Sequence, residues 1–320
     1  MFNIVEKRKL FFTISGIIMA ICVGLMLYAT VTAGQPFRLD IDFQGGSIYE
    51  VQFDGPGATE SGIREVFQSF GEDNPVIQQL GDADEYRWSI RGSFEEGQSS
   101  QGLLDALEQL APLADENENV EQVSPTIGRE VTRAAILAVA VAAVVITGFI
   151  VIAFRQVPKA LRYGLCAIAA MIHDLIVVLG AMAFFSLTLG WEVDTLFLTA
   201  VLTVVGFSVQ DSIVMFDRIR ENIPKHIGEP YETIVNRSIW ETIHRSLATQ
   251  LNAFFIMIAI LLFGGESIQQ FISILFIGLL SGTYSSIFVA VPLLVAWEKG
   301  ELPLIHGDEE LSVTPVARTS

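Results

Sequence analysis

One acidic residue, Asp211, lies within an apolar stretch at residues 196–216 that is long enough to cross a lipid bilayer. A carboxylate at membrane depth costs about 2.5–3.5 kcal/mol on insertion scales, so such residues usually serve a function. His173 and Asp174 lie side by side in a second apolar stretch, and Arg245 lies at the start of a third. This combination indicates a proton-handling site in a multi-span membrane protein.

The expected depths of these residues form a stepped path. The His173-Asp174 pair lies ten residues after Tyr163, about 15 Å along a helix that rises 1.5 Å per residue, which is near the bilayer midplane. Asp211 lies six residues before the charged boundary that begins at Asp217, about 9 Å from that end of its helix. The polar groups are therefore expected to lead from the midplane towards one membrane face.

The fifth apolar segment carries polar residues at a helical spacing. Thr242, Arg245, Thr249 and Asn252 follow i, i+3, i+7 and i+10, so they are expected to line one helix face. If the fourth and fifth segments pack together, the long Arg245 side chain can reach towards Asp211. Burial raises a carboxyl pKa and a nearby arginine lowers it, so an Asp that gains and loses an Arg partner can bind and release protons.

A purely structural interpretation of the same residues is also open. Asp211 and Arg245 could form a static ion pair, and His173-Asp174 could make a helix–helix hydrogen bond. The charged stretch DRIREN at 217–222 follows Asp211 closely, yet alternating charges at a membrane edge are also typical of an interfacial anchor. Polar groups that face the interior of a helix bundle are expected under either interpretation.

Six elements must position these residues. Hydrophobic residues make up 51% of the chain and concentrate in long runs, most of them close to the roughly 20 residues that a helix needs to cross a bilayer. We predict membrane-spanning helices at residues 10–31, 134–154, 161–185, 195–216, 244–263 and 271–297. In the last span, Pro292 is expected to kink the helix or mark its exit, and Gly278 and Gly282 suit close helix packing.

Lys and Arg residues cluster on one side of these spans. They precede the first span and lie between the second and third and between the fourth and fifth, whereas the connections after the third and fifth contain none. Both termini are therefore predicted to be cytoplasmic. The predicted organisation is an N-terminus and first span (1–33), an external domain (34–130), a five-span membrane domain with a cytoplasmic loop at 218–243 (131–298), and a cytoplasmic tail (299–320).

The external segment is strongly acidic. It contains twenty acidic residues and five arginines, a net charge of about −15 that supplies most of the −17 of the whole chain. This charge excludes nucleic acid as an expected partner, because phosphate binding needs a basic face. The segment has no histidine, so we expect a binding or force-transmitting module and no enzyme. Cys22 and Cys166 fall in predicted spans without metal-type spacing, so neither a metal site nor a cofactor is expected.

Periodicity in this segment predicts a small α+β domain. Two stretches with period two flank Gln44-Gly45-Gly46, and two apolar stripes at helical spacing are centred on 63–70 and 103–110, the first opened by Thr59 or Ser61. Strands are predicted at residues 37–43, 47–53, 75–80, 85–90 and 119–125. The order ββαββαβ favours an antiparallel sheet of ferredoxin-like kind. The predicted class is an α-helical polytopic membrane protein with six transmembrane helices and one α+β (ferredoxin-like) external domain between spans one and two.

Four motifs in this order resemble the SecF family of bacterial translocation subunits. DFQGGSIYEV (42–51) is similar to its D-F-x-G-G signature, and MIHDLIVVLG (171–180) to its third-span His-Asp stretch. VGFSVQDSIVMFDRIREN (205–222) resembles its fourth-span signature strongly, and HRSLATQ (244–250) resembles the entrance to its fifth span. The resemblance covers nearly the whole chain.

The resemblance implies a subunit that assists export with SecD and the SecYEG channel, driven by the proton motive force and related to RND-type transporters. The implied location is the bacterial inner membrane, in contact with lipid and with an unfolded translocating polypeptide. Asp211 would carry the proton and Arg245 would gate it. The other implied roles are stabilisation of the cytoplasmic end by Asp217, Arg218 and Arg220, and shaping of the external domain by Asp42, Gly45 and Gly46.

Some positions depart from the family pattern, and other functions remain open. Gln210, Phe207, Gln250 and Asn252 replace the residues expected there, which changes the hydrogen-bond order expected along the relay. One alternative is half of an RND-type exporter of small solutes, because the same proton chemistry would serve it. A third possibility is a scaffold in which the charges only hold helices together.

Overall fold

The computed structural model describes residues 3–72, 75–81, 83–93, 100–114, 119–155 and 159–301. In chain order the longer helices and the strands are α1 (Arg8–Ala33), β1 (Arg38–Leu39), α2 (Ile41–Gln44), β2 (Gly46–Gln52), α3 (Glu60–Ser69), β3 (Val76–Leu80), β4 (Arg87–Gly92), α4 (Ser100–Glu108), β5 (Asn119–Val123), α5 (Pro125–Ala153), α6 (Ala160–Thr188), β6 (Glu192–Val193), α7 (Thr195–Asn222), α8 (Tyr231–Phe263), α9 (Glu266–Ser285) and α10 (Val291–Glu298). The chain divides into two compact units, one of residues 1–38 with 138–320 and one of residues 39–137.

Six helical segments in the described residues are long and apolar enough to cross a membrane. They agree in number and position with the six predicted spans. The buried share of their most apolar stretches is 50–61% for the segments containing α6, α7 and α9, against 6–17% for those containing α1, α5 and α8. The helices α6, α7 and α9 therefore form the centre of the bundle. Of these, α6 carries His173 and Asp174, and α7 carries Asp211.

The close contact between α7 and α9 depends on small residues, as the spacing of Gly278 and Gly282 predicted. A Cβ added to Gly278 would lie 2.1 Å from Cγ2 of Val204, and one added to Gly282 would lie 3.2 Å from Cα of Ser208. Such distances leave no room for a side chain, so the two glycines set the spacing between the helices. Ser208, Ser281 and Ser285 consequently approach the same point.

The last span is interrupted near Pro292, as expected. Between α9 and α10 the residues Ser286–Ala290 form a π-helical turn, and Pro292 lies in the first turn of α10. Proline lacks an N–H and its ring crowds the carbonyl four residues earlier, so a wider turn just before it relieves both problems.

Helices α7 and α8 are longer than their predicted spans. Residues 218–222 continue α7, and α8 begins at Tyr231 and runs for 33 residues without a break. Within the segment predicted as a cytoplasmic loop at 218–243, both ends are helical, and residues 223–230 connect the two helices. Polar pairs between the helices explain the extension: Asn222 donates to the Ser238 hydroxyl at 3.0 Å and to the Glu241 carboxylate at 2.8 Å.

Ion pairs join the first and last helices of this unit. The Arg8 guanidinium binds Glu232 at 2.9 Å and also contacts Glu301, whose pKa is lowered mainly by the hydrogen bond from Arg8. Lys299 binds Glu232 at 2.7 Å. The start of α1, the start of α8 and the end of α10 are therefore held together by charge.

The second unit contains a four-stranded antiparallel sheet with the strand order β3-β4-β2-β5. Its core consists of alternate residues of β2, such as Tyr49 and Val51, with Ile63 and Phe67 of α3 and Leu103 and Leu107 of α4. Thr59 caps α3 by accepting a hydrogen bond from the Gly62 N–H at 3.2 Å, as its position predicted. Both helices therefore bury the stripes that the sequence indicated.

One predicted strand of this unit is wrong. Of residues 37–43 only Arg38–Leu39 are extended, and Ile41–Gln44 form a helical turn. The order predicted as ββαββαβ is therefore βαββαβ for the four-stranded sheet. In the turn, alternation of apolar residues at 41 and 43 still buries both side chains, so the period-two pattern did not distinguish it from a strand.

Candidate functional site

The residues His173 and Asp174 of α6 lie deep in the helix bundle. Their exposed fractions are 2% and 1%, and His173 Nδ1 lies 3.1 Å from Asp174 Oδ1. Within the described residues, His, Cys, Asp and Glu side chains form no group of three or more that could hold a metal ion. An imidazole beside a carboxylate can form hydrogen bonds and transfer protons.

The Asp174 carboxylate accepts hydrogen bonds from three serine hydroxyls. Ser208 of α7 donates at 2.5 Å and Ser285 of α9 at 2.6 Å to Oδ2, and Ser281 of α9 donates at 2.6 Å to Oδ1. Hydrogen bonds to an ionised acceptor are short and strong, so this carboxylate is well stabilised despite its burial. We call His173, Asp174, Ser208, Ser281 and Ser285 the Asp174 cluster. It joins three helices at one point.

Asp211 lies one turn beyond Ser208 on α7 and faces a different helix. Its exposed fraction is 7%, and its Oδ2 accepts a hydrogen bond of 2.8 Å from Nε2 of Gln250 on α8. Among the described residues, Gln250 is the hydrogen-bond donor to this carboxylate. We call Asp211 and Gln250 the Asp211 site.

The buried polar face of α8 differs from the predicted one. Gln250 is the last member of a row at intervals of four residues, in which each side chain is buried: Ser238, Thr242, Ser246 and Gln250. Because α7 and α8 are antiparallel, this row runs beside α7 from Asp211 to Asn222. The Ser246 hydroxyl is buried and, in the described residues, has no hydrogen-bond partner.

Three polar residues predicted to share the face of Thr242 are instead exposed. Arg245, Thr249 and Asn252 point away from the helices of this chain. Within the described residues, Arg245 forms no ion pair with Asp211. Gln250 lies five residues after Arg245, which places it 140° around the helix from Arg245 at 100° per residue, and it is Gln250 that faces α7.

The charged end of α7 is organised by ion pairs. Asp217 binds Arg220 at 2.6 Å, and the Arg220 guanidinium lies 5.5 Å from the ring centroid of Phe154 and donates to the Ala153 carbonyl. Arg218 binds Glu241 of α8 at 2.7 Å. These contacts fix the helix end against α5 and α8, so the stretch DRIREN acts in packing as well as at an interface.

The glycine motif lies in the second unit and allows close backbone contact. Gly45 has φ 78°, and a Cβ there would lie 2.6 Å from Cα of Pro125 at the start of α5. A Cβ on Gly128 would lie 2.8 Å from the Gly45 nitrogen. Asp42 lies in the helical turn Ile41–Gln44 just before this contact. Asp42, Gly45 and Gly46 therefore lie far along the chain from the acids of the bundle and shape the approach of β2 to α5.

Sequence reasoning missed the three serines of the Asp174 cluster and the contact of Gln250. A signal for the serines was present, because Ser281 and Ser285 are four residues apart in an apolar helix and Ser208 is three residues before Asp211. Serine is common in membrane helices for other reasons, so spacing alone did not identify them.

Comparisons with known proteins agree with the motifs. Residues 103–300 match the family model described as protein export membrane protein SecD/SecF, C-terminal, and residues 30–56 match the SecD/SecF GG motif. The chain is 42% identical over 302 residues to the protein translocase subunit SecF of Anaerolinea thermophila, covering 94% of this chain and 96% of that protein. It is 38% identical over 315 residues to the same subunit of Thermobaculum terrenum, covering 93% and 94%.

A solved structure is also similar. The crystal structure of SecDF from Thermus thermophilus, described as a translocon-associated membrane protein, matches with a TM-score of 0.74 at 29% identity. The match covers 93% of this chain and 39% of that chain, so this chain spans about two fifths of the SecDF protein. These relatives are named for translocation, which favours that function over a small-solute exporter.

Proposed function

Because this chain belongs to the SecD/SecF family of protein export membrane proteins, we propose that it couples proton flow across the membrane to Sec-dependent protein export. A role in Sec protein translocation follows from the family itself. The use of the proton motive force is our inference from the buried ionisable residues. In this proposal Asp211 is the proton-carrying carboxylate, Arg245 is its gating partner, and His173 and Asp174 complete the relay.

The observation that carries this proposal is the Asp211 site. A carboxylate inside a membrane helix is costly unless it is well paired. Asp211, however, accepts a hydrogen bond from the neutral side-chain amide of Gln250 and not from a charged group. A carboxylate with one neutral donor can take up a proton without breaking an ion pair. The buried row of Ser238, Thr242 and Ser246 offers a polar route from this site to the charged end of α7.

The polar face of α7 and α8 supports SecD as a partner. Gln210, Arg245, Thr249 and Asn252 are exposed although they belong to helices long enough to span a membrane. Contact with hydrocarbon is unfavourable for such side chains, so a partner's membrane helices are a better neighbour than lipid. We infer that SecD covers this face and that lipid covers the apolar faces of α1 and α5. Movement of the partner would then bring Arg245 towards Asp211.

We further propose that both termini are cytoplasmic in the bacterial inner membrane and that residues 34–130 form an external domain. The distribution of Lys and Arg supports this orientation. The order βαββαβ with sheet order β3-β4-β2-β5 supports a ferredoxin-like arrangement. The acidic charge of this domain argues against nucleic acid and suits contact with an unfolded exported polypeptide near the SecYEG channel. Asp217, Arg218 and Arg220 would stabilise the cytoplasmic end.

The decisive experiment uses membrane vesicles that contain the complete translocation machinery and an imposed proton gradient. Asp211→Asn keeps the shape and the hydrogen bond from Gln250 but cannot ionise. We expect gradient-driven export to fall by roughly a hundredfold, within the range for removing a proton-transferring group. Asp211→Glu, which can still titrate, is the matched control and should retain part of the activity at equal protein abundance. Full gradient-driven export by Asp211→Asn would refute the proposal.

A further inference from the structure

Both oxygens of the Asp174 carboxylate are surrounded by polar side chains. Oδ2 accepts from Ser208 and Ser285, and Oδ1 accepts from Ser281 and lies 3.1 Å from Nδ1 of His173. A proton on Oδ2 would force Ser208 or Ser285 to turn away. A proton on Oδ1 would have to point at Nδ1 of His173, and the ring would then carry its hydrogen on Nε2, which is buried and has no hydrogen-bond partner among the described residues. An ionised carboxylate satisfies all four donors at once. The ionised form of Asp174 therefore fits its four polar neighbours without leaving a donor unpaired.

This arrangement determines which nitrogen of His173 carries hydrogen. Because Asp174 is the acceptor, Nδ1 of the neutral ring is the N–H donor, and Nε2 holds the free lone pair. Nε2 is buried and has no hydrogen-bond partner among the described residues. An unpaired acceptor in a buried position costs free energy, and a proton would turn it into a donor beside a fixed negative charge. The basic atom of the cluster is thus Nε2 of His173.

The neighbours of the ring leave Asp174 as its charged partner. On α9 the titratable side chain against it is Tyr284, whose ring centroid lies 6.0 Å away. The Tyr284 hydroxyl is 3.0 Å from the Ser15 hydroxyl of α1, so α1 contributes a neutral group. On α7, Ser208 donates to Asp174, and Asp211, the charged residue nearest to Ser208 along that helix, is hydrogen-bonded to Gln250 of α8.

We propose that His173 is a second proton-binding residue of the membrane helices, and that Asp174 is a positioning residue that stays ionised throughout. The proposal rests on the proposed function, and it separates two residues that were treated together as relay members. A proton from water enters at Nε2, converts the imidazole to imidazolium without breaking any bond to Asp174, and leaves from the same atom. The pair alternates between a net charge of −1 and zero.

The first test is a variant that keeps the packing and removes the basic atom. In His173→Asn the side-chain amide takes the place of the Nδ1–H donor to Asp174, but nothing replaces Nε2. We expect normal abundance and normal association with SecD, together with a loss of gradient-driven export of roughly a hundredfold. His244→Asn, at an exposed position on α8, is the matched control and should export normally. Normal gradient-driven export by His173→Asn would overturn the inference.

The second test does not depend on a variant that folds. The chain has four histidines, so ¹⁵N-histidine labelling of this chain alone, reconstituted with unlabelled SecD, gives few signals. Substitution of His226, His244 and His306 one at a time by Asn assigns their signals, and the remaining signal is that of His173. We expect the Nδ1–H tautomer at high pH and a doubly protonated ring at low pH. A ring that holds the Nε2–H tautomer, or that never gains a second proton between pH 5 and 9, would also overturn the inference.

The two proposals fail in different ways. If Asp211→Asn abolishes gradient-driven export while His173→Asn is normal and its ring does not titrate, the inference about His173 is wrong and the proposed function stands. If Asp211→Asn also exports normally under a proton gradient, the proposed function is wrong. A loss of assembly in His173→Asn leaves the tautomer measurement on the unmodified complex to decide.

Discussion

Two buried aspartates of the same bundle have opposite surroundings. Asp174 accepts hydrogen bonds from three serines of two other helices and lies 3.1 Å from Nδ1 of His173, whereas Asp211 accepts one from a neutral amide. Both lie in apolar helices and both are almost completely buried. Burial alone therefore does not make a carboxylate a proton carrier. The number of hydrogen bonds that protonation would break decides which acid can change its charge.

The largest effect expected from this comparison is on stability. Asp174→Asn replaces an acceptor-only group with an amide that carries two donors, so at least one serine of the Asp174 cluster loses its partner. We expect a loss of about 1.5–3 kcal/mol, the range for a hydrogen bond to a charged group. Asp211→Asn should change stability by less than about 0.5 kcal/mol, since its oxygen still accepts from Gln250. Thermal denaturation of the purified chain in detergent measures both.

An equal loss of stability in the two variants would contradict the difference proposed between Asp174 and Asp211. It would mean that the Asp211 site holds its helices as firmly as the Asp174 cluster does. The scaffold hypothesis would then regain support, because both acids would serve mainly to fix helix packing.

A second, smaller effect tests whether glycine spacing positions the serines on Asp174. Gly278→Ala should destabilise the chain by about 1 kcal/mol, the lower end for overpacking, because its Cβ would lie 2.1 Å from Val204. The double variant with Val204→Ala should recover part of this loss. Gly148→Ala is the matched control, since a Cβ there meets nothing within 4 Å. Denaturation midpoints of the unmodified protein, the Gly278→Ala and Val204→Ala single variants and the double variant give the coupling between the two positions.

No coupling between positions 278 and 204 would contradict this account of the α7–α9 contact. The serine hydroxyls would then owe their approach to Asp174 to the π-helical turn at Ser286–Ala290, and substitutions there should have the larger effect.

The smallest effect concerns Glu301, an acid outside the membrane helices. Its hydrogen bond with Arg8 lowers its pKa below 4.5, so the stabilisation is present above that pH and is lost as pH falls through the lowered value. Because the Glu301 side chain is 38% exposed, Glu301→Gln should cost well under about 1 kcal/mol at pH 7. Stability of both proteins, measured from pH 7 down to pH 3, should converge at the acidic end. A difference that persists at pH 3 would assign the effect to packing.

Much of the fold could be predicted from the sequence, because long apolar runs and basic clusters act locally. The six spans, the capped helix at Thr59, and the strands after residue 46 were visible as periodicity and length. The stretch at 41–44 was misread as a strand because two apolar residues spaced by one are buried equally well by a strand or by a short turn. The extension of α8 back to Tyr231 was missed because polar pairs with α7, which no local pattern reveals, hold it.

The ionisable residues of the membrane helices could be identified from their position in long apolar runs, because an ionisable group is costly there. The donors that contact each acid could not be identified in this way, because they come from different helices and depend on how the helices pack. Gln250 and Arg245 are five residues apart on one helix and therefore face different sides, and it is packing that turns Gln250 to Asp211. Likewise, nothing in the sequence distinguishes Ser208, Ser281 and Ser285 from other serines of membrane helices. Their hydroxyls meet the carboxylate of Asp174 because α7 and α9 pack closely at glycines.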